Sequence, residues 1–124
     1  MNWSAEYVET ENGKKPFLEF LNELDIGSKL RIIAAIDEIL EMKDLNLVIP
    51  ESKSKHLRDG IFELKLHHKN ISTRSLYFFV KDKKMIFTNG FIKKTNKTPA
   101  NEIDKAEKLR KYYLLNKWGN YGFC

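Results

Sequence analysis

Lys65 and His67 stand two positions apart in the segment Phe62-Glu63-Leu64-Lys65-Leu66-His67, where apolar and polar residues alternate. In an extended chain that spacing sends both side chains to one face and Leu64 and Leu66 to the other. Arg74 opens a second strand-like stretch, and its parity with Leu76 and Phe78 leaves its facing open. Lys93 and Lys94 follow Gly90-Phe91 at the end of a third. Tyr77, Phe79 and Phe91 are interleaved with these cations, a mixture that can hold phosphates and stack bases. RNA carries its own nucleophile, the 2′-hydroxyl beside each phosphate. A site that cuts it must align that hydroxyl, take its proton, offset the charge of the phosphorane and protonate the departing 5′-oxygen. Lysine and arginine can do most of this without a metal. Crowding by other cations lowers a lysine's pKa toward that of a useful base, and an arginine fork fits phosphate oxygens. The alternatives are a pairing of Lys65 with Glu63 and ordinary surface places for Arg74, His67 and His68.

Other chemistries lack their residues. There is no Walker-type loop, GxGxxG, nucleophile elbow or HExxH. His56, His67 and His68 are not spaced as a metal site on a helix face or loop, and the lone cysteine, Cys124, can form neither an internal disulfide nor a cysteine-rich zinc site. Neither cofactor nor metal is expected, and a reducing cytoplasm is the expected compartment. Met1 to Val8 has no cationic start followed by an apolar run, and no segment approaches the ~20 apolar residues of a membrane span.

Charge is unevenly distributed within the net +5. Residues 1–52 carry 5 basic and 11 acidic side chains, whereas residues 53–97 carry 12 basic against 3 acidic. The cationic middle suggests a polyanion-binding face, with a merely solvated lysine-rich surface as the alternative.

The elements that must position these residues fit one domain over 1–124. Trp3, Ala5 and Tyr7 alternate as a short strand ending at Asn12-Gly13. Pro16 suits a first helical position, with Phe17, Phe20, Leu21 and Leu24 along one face. After Gly27-Ser28 a second helix carries Ile32, Ile33, Ile36, Ile39 and Leu40, and the short break suggests an antiparallel pair. Residues 45–55 read as a loop. About three strands follow: one around Phe62 to Leu66, one from Leu76 to Val80 that is apolar on both faces and reads as central, and one through Met85 and Phe87 after the Asp82-Lys83 turn. Thr98-Pro99 then has the form of a helix start, continued by Ile103, Ala106, Leu109 and Tyr113. The layout is α+β: a short N-terminal strand, a two-helix hairpin, a curved antiparallel sheet and a C-terminal helix. The helices are expected on one face of the sheet, leaving the other free, and the aromatics of the tail Trp118–Cys124 are expected to pack.

The run Lys55-His56-Leu57-Arg58-Asp59-Gly60-Ile61-Phe62-Glu63-Leu64-Lys65 resembles the "K-x-L-x-D-G-L-Y-E-L-R" segment of the phage-related, HigB-like branch of the RelE/ParE toxin superfamily. Gly90-Phe91-Ile92-Lys93-Lys94-Thr95-Asn96-Lys97-Thr98-Pro99 is similar to that branch's "G-F-x-K-K-T-x-K-T-P", with Glu102-Ile103 and Ala106 following, and Arg74 looks like the Arg of its "Y-R". Lys65 stands where that family has Arg, and Thr73 where it has Tyr. The resemblance implies a RelE-like fold and a metal-independent, ribosome-dependent endoribonuclease acting on translated mRNA. It also implies a co-encoded antitoxin partner, typically of helix-turn-helix type. On that reading Lys65, Arg74 and His67 are catalytic, and Lys55, Arg58, Lys93, Lys94 and Tyr77 contact RNA or phosphate. A gyrase inhibitor on the same scaffold and a non-catalytic RNA-binding module remain the alternatives.

Overall fold

The computed structural model describes residues 2–122, and of 117–122 the backbone alone. The tail Trp118–Cys124, with its expected packing, therefore lies outside the described side chains.

The chain runs β1 (Ser4–Tyr7), α1 (Pro16–Glu23), α2 (Ile26–Asp44), β2 (Ser54–Arg58), β3 (Ile61–His68), β4 (Ile71–Val80), β5 (Lys84–Ile92) and α3 (Ala100–Gly122). Pro16 starts α1, where the missing N–H costs nothing. The Asp25 carboxylate caps α2, accepting from the Ser28 backbone N–H at 3.0 Å and from Ser28 Oγ at 2.7 Å. The two hairpin turns into β4 and β5 place Lys69 and Lys83 at φ of 55° and 60°, left-handed positions that side chains adopt reluctantly.

The strands form one sheet in the order β1-β5-β4-β3-β2. The meander β2 to β5 is antiparallel, as expected, and β1 joins it parallel to β5. Two findings differ from the sequence reading. β2 is a fourth strand that the sequence reading lacks, since that reading ends a loop at Lys55 and starts the next strand around Phe62; its sequence SKHLR offers one apolar residue, Leu57, and it sits at the sheet edge, where no alternation is required.

The second difference concerns the layers, because the sheet is covered on both faces rather than one. Phe17, Leu21, Ile32, Ile36 and Ile39 of α1 and α2 enclose Leu64, Tyr77, Met85 and Phe87. On the opposite face α3 sets Ala106, Leu109 and Tyr113 against Ile61, Leu76, Phe78 and Ile86. The physical cause is visible in β4 and β5, where successive residues of both parities are apolar, so a single layer of helices would leave half of them in water.

Gly90 shows how tightly the first layer fits. A Cβ at this position would stand 2.3 Å from Cδ2 of Phe20, so α1 can lie on β5 only where β5 lacks a side chain. Gly90→Ala is therefore expected to cost about 1–3 kcal/mol through overpacking. In thermal unfolding this reads as a Tm lower by roughly 5–15 °C. An unchanged Tm would show that Phe20 swings away at no cost.

Candidate functional site

Register fixes what parity left open. Lys65 pairs with Arg74, which pairs with Phe91. Beyond the intervening Leu66–Thr73 pair, which faces the other way, His67 pairs with Ser72, whose carbonyl accepts from the Lys93 N–H at 2.8 Å. Arg74 shares its face with Leu76 and Phe78, the face that α3 covers. Lys65, Arg74, His67 and Lys93 thus occupy two adjacent rungs on that face, with cross-strand neighbours about 4.5–5.5 Å apart at Cβ. α3 begins at Ala100, on the far side of the Lys93–Pro99 segment, and runs away over the sheet. The expected open face is in fact this uncovered corner of it.

The side chains are individually constrained. Arg74 is 13% exposed, its Nε 3.5 Å from Glu63 Oε1 and its Nη1 donating to the Thr73 carbonyl at 2.9 Å. The His67 Nδ1 shares a 2.7 Å hydrogen bond with Ser72 Oγ, which leaves Nε2 as the outward nitrogen. Burial pulls the Lys93 ammonium below its ordinary pKa, and Arg74, Lys65 and Lys55 push it the same way, with Glu63 opposing them. Lys55 pairs across from Glu63 and is exposed on the same face. Among the described residues no group of three His, Cys, Asp or Glu side chains is placed to hold a metal ion.

Three of the expected contacts lie elsewhere. Tyr77 belongs to the other face: it is 1% exposed, stacked on Phe62 at 5.5 Å, with its hydroxyl 2.6 Å from Ser54 Oγ. A ring so enclosed reaches no base, which corrects its assignment as an RNA contact. Arg58 turns to α3, donating from Nε to Glu107 at 2.8 Å and from Nη2 to Asp104, so its fork is spent on holding the helix to the sheet. Lys94 lines a shallow groove with Phe20, Glu23 and Leu24 beside α1, apart from Lys93. The cations Lys81, Lys83 and Lys84 sit at the opposite end of β4 and β5, where Lys84 pairs with Glu6 at 2.6 Å.

Sequence reasoning named Glu63 only as an alternative partner for Lys65; it is 4% exposed, lies beside Arg74 and accepts from Thr98 Oγ1 at 2.6 Å. Its shared parity with Lys65 and His67 was the available signal. Thr73, where the resembling family has Tyr, is buried with the parity of Tyr77, so that departure alters packing under the helices and not the cationic corner.

Burial pushes the Tyr77 phenol from about 10 up to about 12, with the Ser54 hydrogen bond opposing. Because the folded pKa is the higher, this stabilisation is fully present below about pH 10 and is lost as pH rises toward 12. Tyr77→Phe is expected to cost roughly 1 kcal/mol at neutral pH. It should remove that part of the alkaline loss in urea titrations and leave any RNA chemistry unchanged; a loss of chemistry in folded Tyr77→Phe would return the ring to the site.

A short N-terminal strand, two helices, a five-stranded sheet and a C-terminal helix make the α+β layout of RelE-like toxins. Residues 19–111 match the family of phage-derived Gp49-like proteins (DUF891), and the chain belongs to that family, which is related to the RelE-like toxins. No curated protein matches the chain. Among the described residues no helix is long and apolar enough to cross a membrane.

Proposed function

We propose that this protein is the toxin of a type II toxin–antitoxin pair, a metal-independent endoribonuclease that cuts translated mRNA on the ribosome, in the cytoplasm. The observation that carries the reading is the gathering of Lys65, Arg74, His67 and Lys93 on two neighbouring rungs beside a covered, rigid sheet. Lys65 and Arg74 hold the scissile phosphate and offset the charge that grows on it. Lys93 and the more exposed Lys55 anchor the adjoining backbone. His67, held through Nδ1, serves as acid or base through Nε2. The 2′-oxygen bonds to phosphorus as the bond to the 5′-oxygen breaks. The hydroxyl proton passes to a base of the site and a second proton to the 5′-oxygen, leaving a 2′,3′-cyclic phosphate and a 5′-hydroxyl.

The proposed partners are the ribosome with its mRNA and a co-encoded helix-turn-helix antitoxin. The acidic exposed surface of α1 and α2 and the cationic corner offer separate faces for them. Primer extension on a translated message after brief induction tests the reading, with ribosome-free RNA as control. Cuts inside translated codons are expected. Arrest with intact transcripts overturns it, and DNA-damage signalling beside unbroken mRNA would assign the arrest to a gyrase-type target.

A further inference from the structure

A buried carboxylate in the middle of a cationic face asks for a reason, since burying a charge is costly unless its neighbours repay it. The Glu63 side chain is 5% exposed, accepts from Thr98 Oγ1 at 2.6 Å and has Arg74 Nε 3.5 Å away. The threonine alone does not call for a charge, because a neutral amide oxygen would accept its proton as well. The charge matters only to the cations around it. Arg74 has one edge turned to Glu63 and one Nη1 hydrogen on the Thr73 carbonyl, which leaves the remaining Nη hydrogens for an anion. Lys93, on the segment that leads to Thr98, is the second cation that feels the carboxylate.

We infer that Glu63 is a positioning residue, which fixes the Arg74 guanidinium for a substrate phosphate and, through Thr98, ties it to the segment carrying Lys93. The inference rests on the RNA-cleaving reading of this face. Glu63 touches no substrate atom. It acts by holding one cation in orientation and sustaining the charge of another, and Thr98 is the point at which the start of α3 joins that arrangement.

Glu63→Gln keeps an acceptor for Thr98 and removes the charge. It should fold, and kcat on ribosome-bound message should fall by about 10- to 100-fold, the scale on which misplacing a reacting group acts, with KM changed much less. The Lys93 ammonium loses its supporting charge, so the alkaline limb of the rate profile should move to lower pH. A purely structural role would lower Tm without moving that limb. The second measurement is the Arg74 Nε–H NMR resonance, recorded with an oligonucleotide bearing a 2′-deoxy sugar at the cut position. It should shift and exchange faster in Glu63→Gln. An unchanged resonance, or an unchanged limb and kcat, overturns the inference. A wild-type protein that cuts no translated message sinks the RNA-cleaving reading, and the resonance then still decides whether Glu63 holds Arg74. If Glu63→Gln does not fold, Glu63→Asp, which keeps the charge but is one methylene short of Thr98 and Arg74, replaces it: the fall in kcat and the Arg74 resonance then decide, and the alkaline limb should stay in place.

Discussion

Arg74→Ala lowers the rate of RNA cleavage by about 10²–10³-fold in the expected result, the loss typical of removing one preorganised group aimed at developing negative charge. Arg74 is singled out because it is only 13% exposed and its fork is held by protein on two sides. A desolvated, fixed cation offsets phosphorane charge far better than a mobile lysine in water. The substitution also leaves the 5%-exposed Glu63 without its cation, so Arg74→Ala should be less stable as well as less active. Rates must be taken per folded molecule. Arg74→Lys separates the two effects: it restores the countercharge to Glu63 and should recover stability, yet it lacks the fork and should stay well below the wild-type rate. If folded Arg74→Ala keeps a tenth or more of wild-type cleavage, Arg74 does not bind the scissile phosphate.

Phe17→Ala is expected to be the most damaging single truncation of the core. Phe17 is 0% exposed and sits among rings, stacked on Phe87 with centroids 4.9 Å apart and edge-on to Tyr7 at 5.0 Å. It is the residue through which α1 grips both β1 and β5. Truncation removes the buried ring and its aromatic contacts and opens a cavity, at a cost of about 3–5 kcal/mol. Against a typical domain stability of about 5–15 kcal/mol this is a large share. It should appear in urea unfolding as a lower midpoint with an unchanged slope. Phe17→Leu should recover more than half. A loss under about 1 kcal/mol would mean that the α1 layer closes over the gap. Because Phe17 packs on the face opposite Lys65 and Arg74, the folded fraction of Phe17→Ala should cleave at the wild-type rate per molecule.

The sequence carried the helices through their periodicity and the α+β layout through the order of elements. It also held the sign of a second helical layer, since Leu76 to Val80 is apolar at every position, but that sign was read only as a central strand. What it lacked was partner information. Nothing in Ser4–Tyr7 says that this strand runs beside β5 and parallel to it, and nothing in SKHLR marks an edge strand.

The site divides along the same line. Parity alone put Lys65 and His67 together, whereas Arg74 needed the register that sets it opposite Lys65. Tyr77 failed because an aromatic between cations does not declare its face, and its odd-numbered neighbours Ser75 and Phe79 turn it under the helices. Arg58 failed because the carboxylates that take its charge, Asp104 and Glu107, are 46 and 49 positions away.

The parallel pairing of β1 has a consequence in time. Ser4 takes Lys84 as its partner, so the first strand made must wait for a strand synthesised eighty residues later. At roughly 5–20 residues per second, that is about 4–16 s during which Trp3 to Tyr7 has no strand to join. The cationic corner is completed only afterwards, since the segment that follows β5 carries Lys93 and the Thr98 that donates to Glu63. During synthesis, then, the chain passes through a period in which α1 and α2 can form while the cationic corner does not yet exist.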